Sequence, residues 1–366
     1  MTVAFYAPLP PAKTGVADYA AALLAALCKR GAVKIGAKKA DVHLYHLGNN
    51  QLHRGIYERA LSLPGVVVLH DAVLHHLLLG ALNSDQYVEE FVYNYGEWYR
   101  DYAVELWRDR GLSGSDSRYF RYPMLRRIAE TSRAVIVHNQ AASAIVRSHV
   151  ERARIFEIPH LFIEPPPVSQ WEVMRLRQEL GVAPHGTLFG VFGYLRESKR
   201  LRTILKSFHS LRRKQPDVWL LVAGKFITPE FGAALQPLLE RPGVARYDFV
   251  PEPQFSRLAA ATDVCINLRH PSAGETSGIS IRFMGMGKPI IISDSEENSR
   301  IPPDACLRVP VGVEEQEALT TQMTWLARFR EAACAVGHRA KAYIREHHDL
   351  DRVAANYWQV LRECCG

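Results

Sequence analysis

The sequence predicts an α/β protein built from two doubly wound parallel-sheet domains. Three observations lead there. Short apolar runs alternate with helix-length amphipathic segments through both halves of the chain. Pro165-Pro166-Pro167 interrupts the alternation as a stiff, extended linker, after which the pattern restarts. A chain of 366 residues is too long for one ordinary core and suits two domains of typical size. The expected division is 1–167 for the first domain, with a helical insertion at 83–132, then 168–345 for the second, and 346–366 for a terminal helix.

In the first half, Val3 to Tyr6 reads as a strand and Asp18 to Lys29 as an apolar helix. Val42 to Leu47, Val66 to Leu69 and Val135 to Val137 read as further strands. Residues 83–132 break the rhythm with aromatic and charged helical segments. In the second half, strand Phe189 to Phe192, helix Leu201 to Lys214 and strand Val218 to Ala223 follow one another. Helix Gly232 to Leu239, strand Ala245 to Val250 and helix Gln254 to Ala261 come next. A strand at Asp263 to Leu268, a helix opening at Gly278 and a strand at Pro289 to Ser293 lead to a strand near Cys306 to Val309. Helices Gln316 to Arg330 and Asp351 to Arg362 close the chain.

Composition narrows the function classes. Apolar residues make up 48% and charged residues 23%, ordinary for a globular protein, and no run reaches the roughly 18 uninterrupted apolar residues of a membrane span. The chain opens on a strand, so no signal peptide is expected. Six scattered cysteines show neither metal-ligand spacing nor a disulfide framework, which favours a reducing cytoplasm. The net charge of +7 fits either a basic surface without consequence or a basic face for anionic ligands or an anionic membrane surface. The Lys and Arg pairs are not interleaved with aromatic residues, so no nucleic-acid partner is expected.

The stretch PSAGETSGISIRFMGMGKPIIISD, residues 271–294, is the most informative. Its loop follows a buried strand and precedes a helix, the place where open α/β sheets bind ligands. Thr276, Ser277 and Gly278 offer backbone N–H groups at a helix start, which suits a phosphate, and Glu275 offers a carboxylate, which suits sugar hydroxyls. A diphosphate beside a sugar describes a nucleotide-sugar. A second basic segment, FGYLRESKRLRTILKSF at 192–208, places Gly193, Arg196 and Lys199 between a strand and a helix. Such cations stabilise the charge that grows on a leaving diphosphate. In the first half, Gly15 lies in the proline-stiffened loop PLPPAKTGVADY, and His70-Asp71 ends the strand VVVL. Asn49 and Asn50 end the preceding strand and suit either hydroxyl bonding or a turn. Asp349-Leu350-Asp351 precedes a helix and reads as an N-cap rather than a metal site.

The segment at 271–294 resembles the donor motif of the retaining glycosyltransferases of family 4, which have the GT-B fold of two Rossmann-like domains facing a cleft. Glu275 matches the first glutamate of that motif. Arg282 stands near the position of the second, which in the family holds the ribose, and the spacing is one residue short. Lys199 matches the lysine of the family's Gly-Arg…Lys segment; Tyr194 occupies the arginine position and Arg196 follows two residues later. The resemblance implies a metal-independent, retaining hexosyltransferase using a UDP- or GDP-linked sugar as substrate, with no cofactor. It implies catalytic roles for Glu275, Lys199, Arg196 and His70. Donor contacts would come from Gly15, Gly193, Gly224, Val250, Thr276, Ser277, Gly278 and Arg282, and acceptor-side contacts from Asn49, Asn50 and Asp71. A glycan or lipid-linked acceptor, bacterial surface polysaccharide synthesis, peripheral contact with the inner face of the membrane, and a terminal helix crossing back to the first domain complete the expectation. A nucleotide-sugar epimerase or hydrolase of the same fold, and a non-catalytic nucleotide-sugar-binding protein, stand as alternatives.

Overall fold

The computed structural model describes residues 1–365. The chain divides into two compact units. Unit 1 comprises Met1–Leu161, Pro271–Thr276 and the chain from His348 onward; unit 2 comprises Phe162–His270 and Ser277–His347. The chain therefore leaves unit 2 after His270, spends six residues with unit 1, and returns at Ser277.

Unit 1 holds six parallel strands: β1 (Thr2–Tyr6), β2 (Ala32–Ile35), β3 (Val42–Leu47), β4 (Val66–Leu69), β5 (Ala134–Val137) and β6 (Ile155–Glu157). Their order is β2-β1-β3-β4-β5-β6, so the direction of winding reverses between β1 and β3. Every position of β3, β4 and β5 is buried. Helices cover both faces of such a sheet, which is why these strands read as continuous apolar runs and not as alternating ones. The helix Gly15–Cys28 begins three residues earlier than its apolar pattern suggests, because Thr14 caps it by accepting from the Val16 N–H. The last helix, Leu350–Glu363, packs on it, with the Tyr19 and Tyr357 hydroxyls hydrogen-bonded at 2.9 Å. Asp349 caps that last helix by accepting from the Arg352 N–H, as the Asp349-Leu350-Asp351 spacing suggests.

Residues 83–132 form the helices Ser84–Tyr95, Arg100–Arg108, Arg118–Arg121 and Arg126–Thr131. Tyr87, Phe91, Leu106 and Tyr119 from this region are fully buried in the same core as Leu69 and Leu77.

Unit 2 has its own six parallel strands: β7 (Thr187–Phe192), β8 (Val218–Ala223), β9 (Val244–Tyr247), β10 (Val264–Asn267), β11 (Ile290–Ser293) and β12 (Leu307–Val309). Their order is β12-β11-β10-β7-β8-β9, reversing between β7 and β10. Both strands at that reversal are buried throughout. Two helices of unit 2 escape the sequence pattern, Gln170–Glu179 and Arg330–His347, as do Arg54–Ser62, His75–Ala81 and Gln140–His149 in unit 1. Helix Arg330–His347 buries small residues, and a Cβ at its Gly337 would lie 2.1 Å from the Gly287 carbonyl oxygen. Among the described residues, no helix is long and apolar enough to cross a membrane.

Candidate functional site

In unit 2 the functional side chains gather where the strand order reverses, the place where doubly wound sheets bind ligands. The chain leaves β7 through Gly193, whose φ of +90° is left-handed backbone that glycine adopts without strain. A short turn, Glu197–Lys199, then brings Lys199 back beneath the strand end. Its ammonium donates to the Phe192 carbonyl oxygen at 2.6 Å and to Asn267 Oδ1, at the end of β10, at 3.1 Å. Asn267 Nδ2 in turn donates to Ser277 Oγ and Ser280 Oγ, each at 2.8 Å. Ser277 caps the helix Gly278–Gly285 and accepts from the Ser280 N–H. The His270 N–H donates to the Ser198 carbonyl, joining the two loops a second time.

Lys199 is 6% exposed. Burial, reinforced by the positive charges of Arg269 and Arg196, lowers its pKa to about 7. Arg196 is exposed, and its carbonyl accepts from the Lys199 N–H. The cluster thus offers the Lys199 amine, with Arg269 and Arg196 near enough to lower its pKa, and a capped helix N-terminus, an arrangement suited to a polyanion.

Two of the expected donor residues have close neighbours within unit 2. A Cβ at Gly224 would stand 1.9 Å from the Gly193 carbonyl oxygen, so that glycine lets the loops after β7 and β8 approach each other. Arg282 lies against the helix Glu252–Ala261: its guanidinium forms a two-nitrogen ion pair with Glu252, donates to Ser256 Oγ at 3.3 Å and covers the Phe255 ring at 4.1 Å. One residue of helix is about 100° of rotation, and in this structure the Arg282 guanidinium faces the Glu252 carboxylate. Val250 lies three residues beyond the end of β9, half-buried against the core of unit 2.

Glu275 belongs to unit 1 with the rest of Pro271–Thr276. Its Oε2 accepts from the Ala273 N–H at 2.7 Å and from Ser272 Oγ at 3.1 Å, closing the loop on itself. The Ala72 N–H donates to the Ala273 carbonyl at 2.7 Å, and Asn139 Nδ2 donates to Gly274 O and Thr276 Oγ1, each at 3.0 Å.

The remaining unit 1 candidates are engaged locally. His138 Nδ1 donates to the Ile158 carbonyl, so in the neutral ring its Nε2 accepts from His70 Nδ1 at 3.3 Å. His70 Nε2 must then accept from His46 Nδ1 at 3.0 Å. Both ring nitrogens of His70 are therefore held inside a histidine chain. Burial, and then neighbouring histidines, hold His70 well below the usual histidine range and His46 at about 3; burial lowers His138 to about 4. Asn49 accepts from the Leu77 N–H and its amide nitrogen pairs with His76, while its backbone N–H donates to Asp71 Oδ2 at 2.7 Å. Asn50 caps the turn Gln51–His53. These bonds tie Asn49, Asn50 and Asp71 to the scaffold of the loop after β3. His75 and His76 bond the insertion, through the Tyr122 and Ser113 carbonyls. Gly15 opens its helix, and a Cβ there would meet no atom within 4 Å.

Sequence reasoning passed over His138-Asn139. The same signal that marked His70-Asp71, a polar pair directly after a buried strand, is present there. Among the described residues, no three His, Cys, Asp or Glu side chains are grouped to hold a metal ion.

No protein-family model matches the chain, and no curated protein matches its sequence. Solved structures do match its fold. HepE from Anabaena, crystallised with UDP and glucose, aligns with a TM-score of 0.67 at 13% identity, over 99% of this chain and 100% of that one. Sucrose-phosphate synthase from Thermosynechococcus elongatus aligns with a TM-score of 0.68 at 15% identity, over 99% and 98%. WaaG, a glycosyltransferase involved in lipopolysaccharide biosynthesis, aligns with a TM-score of 0.66 at 15% identity, over 98% and 99%. Two six-stranded parallel sheets with flanking helices, matched along nearly the whole chain by these proteins, give this chain the two-domain GT-B fold.

Proposed function

We propose that this chain is a glycosyltransferase that moves a hexose from a nucleoside diphosphate sugar to a glycan or lipid-linked acceptor, with retention at the anomeric carbon and without a metal. The observation that carries the reading is the Lys199–Asn267–Ser277 network across the strand reversal of unit 2. It presents a buried amine, Arg196, Arg269 and a helix N-terminus where a diphosphate would sit. UDP is the first nucleotide to try, since HepE was crystallised with UDP and with UDP-glucose. A GDP-linked sugar is the second.

In the proposed reaction, the bond between the anomeric carbon and the diphosphate oxygen breaks, and the electron pair leaves with the diphosphate. Lys199 and Arg196 stabilise the growing negative charge. The acceptor hydroxyl forms the new bond on the same face, and its proton passes to the departing phosphate oxygen. Glu275 orients the sugar through its hydroxyls. Bacterial surface polysaccharide synthesis, a cytoplasmic setting and peripheral contact with the inner membrane face belong to the same proposal.

The test is turnover of UDP- and GDP-sugars with and without a panel of glycan and lipid-linked acceptors, in the presence of a chelator. Transfer with the donor's anomeric configuration kept in the product supports the reading. Isomerised or free sugar from donor alone, with no acceptor product, would make the protein an epimerase or hydrolase. Donor binding without turnover would make it a binding protein.

A further inference from the structure

Asn139 stands at the carboxyl end of β5 and is 6% exposed. Its Oδ1 accepts from the Ala142 N–H at 2.8 Å, capping the helix Gln140–His149. Its Nδ2 uses both hydrogens on another segment, one on the Gly274 carbonyl and one on Thr276 Oγ1, each at 3.0 Å. One side chain therefore fixes a helix start and the residues on both sides of Glu275. A second anchor lies one residue earlier, where the Ala72 N–H donates to the Ala273 carbonyl. Between the two, the loop backbone presses against Ala72 and Ile145. A Cβ at Gly274, whose φ is +75°, would stand 2.7 Å from the Ala72 Cβ and 3.2 Å from the Ile145 Cδ1. These contacts seat the loop in unit 1, and within it the Glu275 carboxylate is held by the Ala273 N–H and Ser272 Oγ.

We infer that Asn139 is a positioning residue: it holds the Pro271–Thr276 loop in unit 1 so that the Glu275 carboxylate meets the donor sugar in a fixed orientation. The inference rests on the glycosyltransferase reading of Glu275 and adds a residue to it. Asn139 acts through the loop's backbone and Thr276, without touching the substrate.

The helix cap lets the two duties of Asn139 be separated. Asn139→Asp keeps an oxygen for the Ala142 N–H, since Asp and Asn cap helices about equally well. It removes both donors to the loop and turns an acceptor toward the Gly274 carbonyl. Asn139→Ser also keeps a capping oxygen, on a side chain too short to reach the loop, and serves if the aspartate variant fails to fold. With UDP-glucose or whichever donor the wild type turns over, the capping variants should keep near-wild-type UDP affinity, with the larger loss of thermal stability in Asn139→Asp, which faces an acceptor to the buried Gly274 carbonyl. Their kcat should fall roughly 10- to 100-fold, the usual cost of about 1 Å of misplacement. Amide exchange across residues 271–277 should quicken in the same variants. A kcat equal to wild type, or a UDP affinity that falls in step with kcat, overturns the positioning role. Unchanged exchange at 271–277 overturns the anchoring itself. Wild-type protein that neither binds nor turns over any donor counts against the glycosyltransferase reading and the catalytic half of this inference, while the exchange of 271–277 still decides the anchoring half.

Discussion

Lys199 Nζ donates to Asn267 Oδ1 at 3.1 Å, joining the loop after β7 to the end of β10. These are the two strands on either side of the reversal in unit 2. The bond holds the amine before any ligand arrives, and the Phe192 carbonyl fixes it from a second side. An amine held in advance, and protonated as the diphosphate binds, needs no rearrangement when charge develops on a leaving group, which is where such groups are worth most.

Replacing Lys199 by methionine, a similar length of apolar chain, should lower kcat by roughly 100- to 1,000-fold, with a smaller effect on donor affinity. Steady-state kinetics paired with calorimetric titration of UDP separates the two. Wild-type kcat with weakened binding would make Lys199 a binding residue only.

Binding should also take up a proton. In the free protein Lys199 has a pKa of about 7, so it is mostly neutral at about pH 8. A diphosphate beside it favours the ammonium and raises that pKa. UDP affinity should therefore fall as pH rises through and above 7. Titrations at about pH 8 in two buffers of different ionisation heat should show uptake approaching one proton, abolished by Lys199→Met. Equal heats in both buffers would contradict a depressed Lys199 at the diphosphate.

Glu275→Ala should abolish transfer while UDP binding largely survives. Glu275→Gln is the sharper variant, since its amide oxygen can still accept from the Ala273 N–H and keep the loop closed. Loss of transfer in Glu275→Gln with normal UDP affinity assigns the charge to the sugar. Wild-type transfer in that variant would leave Glu275 with the loop alone.

Arg282→Ala should leave UDP affinity within about twofold of wild type. The guanidinium is engaged with Glu252 and Phe255 on the neighbouring helix. A stability loss of about 1 kcal/mol or less is expected, because Glu252 is half exposed and such pairs contribute little. A tenfold or larger loss of UDP affinity would return Arg282 to the nucleotide.

Acid should weaken the fold before most carboxylates titrate. His46 at about 3 and His138 at about 4 lie below the ordinary histidine value of about 6.5, and His70 is lowered too. The unfolded chain binds more protons than the folded one between those values, so stability rises with pH across that window and is lost as pH falls through it. Each such histidine contributes a slope of up to about 1.4 kcal/mol per pH unit. Denaturant titrations at about pH 7 and about pH 5 should differ by several kcal/mol, and equal midpoints would contradict a neutral histidine chain.

Much of the fold was legible because fully buried parallel strands carry unbroken apolar runs, as in β3, β7 and β11. Strand β2 was not, because it is a four-residue edge strand with three exposed positions. Helix Arg330–His347 was missed because Ala333, Gly337 and Ala340 make a buried stripe with little apolar contrast. In the candidate site, motif position led to Lys199 and to the backbone of Ser277, while the side-chain cap at Ser277 came only with the structure. Side-chain partners were not legible. That Arg282 meets Glu252, and His70 meets His46 and His138, depends on residues 24 to 68 positions apart brought together only by the fold. Asn139 carries the strand-end signal in the sequence, but its partners, 135 and 137 residues away, were not legible.

The central claim, that a nucleoside diphosphate binds at the strand reversal of unit 2, is tested most directly by amide hydrogen exchange with and without saturating UDP. The expected result is slowed exchange in two peptides, the one covering Gly193 to Arg200 and the one covering Ser277 to Arg282. Saturable UDP binding with exchange unchanged in both, and protection elsewhere in the chain, would contradict it.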